Sequence, residues 1–153
     1  MAALKPGAKA PAFALMDQDE KKVKLSDFKG RKLLLYFYPK ANTSGCAKQA
    51  CSVSAAQKDL KKLGIAAVGI SPDPPDKQMK FDLKYKLGFP LLSDQDNNVA
   101  KAYGTWGEKS MYGKKFEGII RSAFLIDEKA KVLQAWYKVK PDETVPQALE
   151  FLG

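Results

Sequence analysis

The spacing of apolar positions changes several times along this 153-residue chain, and each change marks an element. Lys32 to Tyr38 (Lys-Leu-Leu-Leu-Tyr-Phe-Tyr) is an almost unbroken apolar run closed by Pro39, the pattern of a strand buried on both faces. From Ser44 to Leu63 the spacing becomes helical, with Ala47, Ala50, Cys51, Ser54, Ala55, Leu60 and Leu63 on the repeat and Gly64 as the stop. Ile65 to Ile70 predicts a second buried strand, a parallel neighbour of the first. Ser71-Pro-Asp-Pro-Pro75 then opens a helix, with Asp73 as candidate N-cap, that runs to about Leu87 and ends at Gly88. Phe89 to Leu92 predicts a short strand and Asp94 to Tyr103 a short helix. Upstream, Pro11 to Met16 and Lys22 to Leu25 predict two short strands about the polar turn Asp17–Glu20. Downstream, Thr105 to Gly118 reads as a long, glycine-punctuated connection. Ile119 to Ile126 and Val132 to Val139 predict a hairpin about Asp127–Ala130, and Thr144 to Leu152 a closing helix.

The order is thus hairpin, βαβα, a short β and α, then ββα. A βαβ crossover is right-handed and makes its strands parallel. The final hairpin adds antiparallel strands to the same sheet. The expected fold is α/β and thioredoxin-like: a mixed central sheet flanked by helices, with an N-terminal β-hairpin extension. Residues 1–153 suit one domain with its own core.

Composition narrows the function classes. The formal charge is +9, from 26 Lys+Arg against 17 Asp+Glu. The excess is mostly lysine scattered along the chain, with no Arg-rich block and no interleaving of aromatic and basic residues. That favours a solvated surface over nucleic-acid binding. No apolar run reaches membrane-spanning length, and the first residues lack a signal-peptide core, so the expected setting is the cytoplasm, with no membrane partner. In a reducing compartment a cysteine pair points to catalysis, redox chemistry or a metal rather than to a structural disulfide. The chain has no histidine, which removes Cys-His and Ser-His-Asp catalysis and most zinc sites.

The candidate chemistry therefore centres on the only two cysteines, Cys46 and Cys51. Cys46 follows Thr43-Ser-Gly45 where a strand ends and a helix starts, the edge at which α/β sheets bind ligands. Packing alone would make it a small buried hydrophobe. Its polar, small neighbours favour a reactive thiol, and first-turn N–H groups with the helix dipole favour the thiolate. A guanidinium nearby would add to this. Only Arg31 and Arg121 occur, and Arg121 lies within the apolar run Gly118–Ile126, where alternation puts it on one face with Ile119 and Ala123. Such an arginine either snorkels to water or is aimed at the Cys46 thiolate. On a regular helix, residues 46 and 51 have Cα atoms about 8.6 Å apart. A disulfide spans no more than about 6.8 Å. Either the pair never bonds, or bonding requires the first turns to unwind. Two thiolates without histidine make a poor metal site.

These residues resemble the peroxiredoxins, and within them the bacterioferritin comigratory protein or peroxiredoxin Q group. The Pro-x-x-x-Thr/Ser-x-x-Cys motif stands as Pro39-Lys-Ala-Asn-Thr43-Ser-Gly-Cys46, the group's second cysteine as Cys51, and Tyr103–Asp127 carries the family's arginine as Arg121. Gly7-Ala-Lys-Ala-Pro-Ala-Phe13 is similar to the family's start. The group commonly has Thr-Pro-Gly-Cys and a glutamate before Ala-Cys, where this chain has Ser44 and Gln49.

The resemblance implies an antioxidant thiol peroxidase. Cys46 would be the peroxidatic cysteine and pass through sulfenic acid, and Cys51 would resolve it as an intramolecular disulfide. Thr43 and Arg121 would bind and polarise the peroxide, with Pro39 and Gly45 completing the pocket. Hydrogen peroxide or an organic hydroperoxide would be substrate, and thioredoxin or a related dithiol the reductant. No metal, haem or flavin cofactor is implied, and the group is often monomeric. Two other readings remain at this point: a dithiol-disulfide oxidoreductase acting on proteins, and a redox-sensing or nucleic-acid-binding module.

Overall fold

The computed structural model describes residues 3–152. Its first strands, β1 (Ala14–Met16) and β2 (Lys22–Lys24), form an antiparallel hairpin followed by a single 3-10 turn, Leu25–Phe28. Then come β3 (Lys32–Phe37), α1 (Ser44–Ala55), α2 (Gln57–Lys62) and β4 (Ile65–Ser71). Next are α3 (Pro75–Tyr85), β5 (Leu91–Ser93) and α4 (Asn98–Ala102). The chain closes with β6 (Trp106–Met111), β7 (Lys114–Ile119), β8 (Ser122–Ile126), β9 (Val132–Tyr137) and α5 (Thr144–Leu152).

Seven strands make one mixed sheet in the order β2-β1-β5-β4-β3-β8-β9. The strands β3, β4 and β5 are parallel, while β1, β8 and β9 pair antiparallel with their neighbours. The N-terminal hairpin is therefore the sheet's edge, joined through Met16 opposite Ser93.

Strand alternation divides the core in two. Leu34, Tyr36 and Tyr38 pack under α1, α2, α3 and α5, against Ala50, Val53, Leu60, Phe81 and Ala148. Leu33, Leu35 and Phe37 pack on the other face with Phe13, Phe28, Tyr103 and Phe124. That second face is covered by the N-terminal segment, the 3-10 turn and the short α4 rather than by long helices. At about 25 cal/mol per Å² of buried apolar surface, roughly 2 kcal/mol for each of these side chains, the central strand anchors the fold. No helix among the described residues is long and apolar enough to cross a membrane.

Four expectations change. The stretch from Thr105 to Gly118 is not an unstructured connection: β6 and β7 form a separate two-stranded hairpin. Its turn, Tyr112-Gly113, has positive φ at both residues (52° and 77°), the twist that two-residue hairpin loops require. The helix from Ser44 breaks at Ala56 (φ −89°, ψ 0°) into α1 and α2. Pro74, not Asp73, occupies the N-cap position of α3, since the Asp73 carboxylate is turned toward Ala41 and Ser71. The segment from Asp94 is helical only over α4, and Asp94 caps it from a distance by accepting from the Val99 and Ala100 N–H groups.

Candidate active site

Cys46 sits in the first turn of α1 because β3 delivers the chain to the carboxyl edge of the sheet and a short loop turns it back. That loop is fixed from below. The Ala41 N–H donates to the Asp73 carboxylate (2.6 Å), which also accepts from the Ser71 hydroxyl (2.7 Å). Gln78 ties the same network to the end of β3 and to β5: its side-chain oxygen accepts from the hydroxyl of Tyr38, the residue after β3, and its amide donates to Ser71 and to the Leu92 carbonyl. All four polar side chains are buried or nearly so, and they satisfy one another, which is what makes a buried polar cluster rigid. Asn42 takes the left-handed conformation (φ 63°) that turns the loop toward the helix.

The Cys46 thiol is buried, and the Arg121 guanidinium lies on it, Nη2 to Sγ 3.3 Å. The other terminal nitrogen, Nη1, donates to the Gln49 side-chain oxygen at 2.6 Å, and the Gln49 amide donates to the Thr144 hydroxyl at 2.7 Å. Gln49 is one helical turn from Cys46 and completely buried, as is Thr144 at the start of α5. The chain thus aims a cation at a thiol and holds that cation with a neutral amide. A charge-assisted hydrogen bond of this kind is about twice as strong as a neutral one.

Arg121 is not inside a strand. It lies in the break between β7 and β8, where the chain leaves the two-stranded sheet for the central one. Strand alternation does not hold across that break: Ile119 packs with the Phe124 face, whereas Ala123 packs with Cys46. This break is what lets a charged side chain leave an otherwise apolar run without occupying a core position.

Gly45 has a packing reason. A Cβ at this position would meet Arg121 Nη2 at 3.3 Å and Pro141 Cγ at 3.7 Å. Pro39 and Arg121 line a cavity of about 330 Å³ together with Lys109, Ile120, Lys138 and Val139. Thr43 is elsewhere: it borders a separate hollow of about 400 Å³ with Lys40, Asn42, Asp73 and Lys77. Its hydroxyl donates to the Lys40 carbonyl (3.0 Å), and it makes no side-chain cap on α1. The structure therefore brings together Cys46, Gly45 and Arg121, with Pro39 at the same cavity, and leaves the Thr43 hydroxyl closing its own loop.

Cys51 is exposed and Cys46 buried, on different faces of the one wound helix, and both thiols are free. Burial without a partner drives the Tyr36 phenol far above its ordinary value and keeps it neutral beneath the site. Among the described residues no group of three or more His, Cys, Asp or Glu side chains could hold a metal ion.

Gln49 has no role in the sequence reading. The available signal is its position: a polar residue three after Cys46, on a helix face otherwise made of Ala47, Ala50 and Val53.

Comparison with known proteins adds the family. Residues 6–135 match the AhpC/TSA family. Peroxiredoxin Bcp of Escherichia coli K12 is 50% identical over 129 residues, 84% of this chain and 83% of that one. The bacterioferritin comigratory protein of Xanthomonas campestris, studied for its alkyl peroxide reduction through trapped intermediate and ligand complexes, superposes with a TM-score of 0.87. It is 32% identical, with 99% of this chain and 96% of that chain covered. A cysteine-to-serine mutant of X. campestris peroxiredoxin Q gives the same TM-score, 0.87, at 33% identity, covering 99% and 96%. The fold and the guanidinium-capped thiol define a thioredoxin-like thiol enzyme. The chain belongs to the AhpC/TSA family, in the bacterioferritin comigratory protein and peroxiredoxin Q group of peroxiredoxins, and is a peroxidase.

Proposed function

We propose that this chain reduces hydrogen peroxide and organic hydroperoxides through Cys46 and Cys51, with thioredoxin or a related dithiol as the source of electrons. The observation that carries the reading is the 3.3 Å contact between Arg121 Nη2 and Cys46 Sγ. A hydrogen-bond donor at that distance is aimed at the sulfur and at the oxygen that would react with it, and the thiolate is the form of a cysteine that attacks.

In the first step the Cys46 thiolate attacks the terminal peroxide oxygen. An S–O bond forms, the O–O bond breaks, and the leaving hydroxide or alkoxide takes a proton to become water or alcohol. Sulfur gives up two electrons and becomes sulfenic acid. Arg121 stabilises the charge that moves onto the leaving oxygen. Pro39 keeps bulk water from the cavity, and Gly45 leaves room for the guanidinium. Thr43 enters this step by turning its hydroxyl from Lys40 toward the bound peroxide.

In the second step the start of α1 unwinds and Cys51 attacks the Cys46 sulfur, forming a disulfide and releasing water. The wound helix supports this order, since it holds the two Cα atoms about 8.6 Å apart. Dithiol exchange then restores both thiols. The same separation argues against a dithiol-disulfide oxidoreductase, which needs two cysteines poised to bond in place. We take the protein to act as a cytoplasmic monomer in antioxidant defence, a setting that suits two free thiols.

The test mixes reduced protein with peroxide and follows consumption. Cys46→Ser is expected to abolish turnover, and residual turnover would refute the assignment. Cys51→Ser is expected to allow one rapid oxidation and then stall in the thioredoxin-linked assay. Unimpaired recycling in that variant would remove Cys51 from the cycle.

A further inference from the structure

The cavity beside Arg121 is cationic, although hydrogen peroxide, which the peroxidase reading would bring to it, is neutral. Lys109, Arg121 and Lys138 all line it. Its one carboxylate, Glu108, is engaged outside with Lys115 at 3.6 Å. The partner of Arg121 is the neutral Gln49, so no buried carboxylate cancels the guanidinium.

Lys109 is held at this cavity by the β6–β7 hairpin. Gly107 and Gly118 face each other across its two strands. A Cβ on Gly118 would touch Lys109 Cδ at 3.4 Å, and one on Gly107 would strike Ile120 Cδ1 at 2.9 Å. The two bare backbone positions give the Lys109 stem and the Ile120 side chain room to lie across the hairpin where it meets the cavity. The Lys109 ammonium also stands 6.0 Å from the centre of the Phe116 ring, its cross-strand partner. Desolvation, and then the charge of Arg121, pull the ammonium's pKa down. A bound anion would offset both costs.

We propose that Lys109 makes this cavity selective for small hydroperoxides that carry a carboxylate, an inference that rests on the peroxidase reading above. A neutral hydroperoxide gains nothing from the ammonium. An anionic one would otherwise be repelled by the Cys46 thiolate behind Arg121, and Lys109 offsets that repulsion at the entrance. The cavity, about 330 Å³, lies at the small end of the roughly 300–1,000 Å³ typical of ligand pockets. The carboxylate must therefore sit close to the peroxide, as on a short branched acid or a single aromatic ring. The chemical step is unchanged: Cys46 sulfur takes the terminal oxygen, and the alkoxide leaves as the hydroxy acid.

The experiment compares cumene hydroperoxide bearing a para-carboxylate with its methyl ester, which has the same shape but no charge. Rapid-mixing rates for oxidation of the reduced protein give an acid-to-ester ratio, from which general losses of reactivity cancel. The unmodified protein should favour the acid by about threefold to tenfold at low salt, the range of a partly screened charge contact. The preference should shrink as salt shortens the screening length. Lys109→Gln should bring the ratio to one or below, Lys109→Arg should restore it, and Lys22→Gln on the remote edge strand should leave it as it was. A ratio of one or less in the unmodified protein, or an undiminished ratio in Lys109→Gln, overturns the proposal. If neither peroxide oxidises Cys46, the peroxidase reading fails and takes the inference with it.

Discussion

Gln49 is the residue on which the arginine depends, and Gln49→Leu tests that dependence directly. Leucine fills similar volume, so the loss is polar rather than a cavity. Two groups are stranded: the part-buried Arg121 Nη1, which now donates to Gln49 at 2.6 Å, and the buried Thr144 hydroxyl, which accepts from it at 2.7 Å. Losing a hydrogen bond to a charged group costs about 1.5–3 kcal/mol, and a stranded neutral group about 1–3 kcal/mol. Arg121 is only part-buried and recovers some of this from water, so a stability loss of about 2–4 kcal/mol is expected. The kinetic effect follows from geometry. A guanidinium freed at Nη1 no longer keeps Nη2 on the thiol. Removing one aligned donor from a developing oxyanion costs up to about a hundredfold or more, so a tenfold to hundredfold slower oxidation of Cys46 is the expected range. Gln49→Glu keeps an acceptor for Arg121 and can accept from Thr144, so it should recover most of the rate. Denaturant unfolding reads the first effect and rapid-mixing oxidation of reduced protein the second. If Gln49→Leu reacts with peroxide within twofold of the unmodified protein, Arg121 is positioned by something else and the argument is wrong.

Asp73→Ala should strand the Ala41 N–H and the Ser71 hydroxyl, costing about 2–4 kcal/mol in urea unfolding and slowing Cys46 oxidation as the loop from Pro39 to Thr43 loosens. A change in stability without any change in rate would show that the loop is held independently. Gly69→Ala should destabilise by about 1–3 kcal/mol, because a Cβ there meets Tyr36 Cζ at 2.9 Å and Tyr38 Cε1 at 3.0 Å; a neutral result would mean the rings give way freely. Burial raises the Asp94 carboxyl above its ordinary 3.8. The folded state then holds that proton more tightly than the unfolded state. The associated stability is present at low pH and is lost as pH rises through the raised value. Asp94→Asn should remove that component from the pH dependence of unfolding, and an unchanged profile would contradict it.

The chain displays its central strand openly. Lys32–Tyr38 and Ile65–Ile70 read as buried parallel strands because both faces of the sheet are covered, so no polar alternation interrupts them. The last helix, Thr144–Leu152, is legible to the residue because its apolar face alone meets the core. The hairpin from Trp106 to Ile119 is not, because most of β7 faces solvent and only Ile119 at its end is fully buried. A strand without a buried face has no period to read. The break at Ala56 contains neither glycine nor proline, so nothing local announces it. Arg121 stands out by its oddity in an apolar run, yet strand alternation misplaces it, because the chain does not follow that alternation across residues 120 and 121. Gln49 carries a signal that composition hides: one polar side chain on a buried helix face. In the ligand-free structure the Thr43 hydroxyl is occupied with Lys40, so the role implied by the motif requires that hydroxyl to turn.

The contacts on Arg121 also constrain the order of events in the proposed cycle. Cys46 and Gln49 lie in the first two turns of α1, and Gln49 joins that helix to α5 through Thr144. In the proposed cycle, unwinding of α1 through Gln49 to bring Cys51 to Cys46 would break the Gln49–Thr144 bond and both Arg121 contacts together. The site that reduces peroxide and the site that forms the disulfide therefore cannot coexist. On that reading, peroxide reduction would be confined to the wound helix, and resolution to a state in which Arg121 has lost both partners. A substitution that strengthens the α1–α5 junction should then leave the first oxidation intact and slow disulfide formation. Sulfenic acid would persist longer and, at high peroxide, proceed further to sulfinic acid. That separation of two rates by one hydrogen bond is a consequence that a preformed pair of neighbouring thiols would not share.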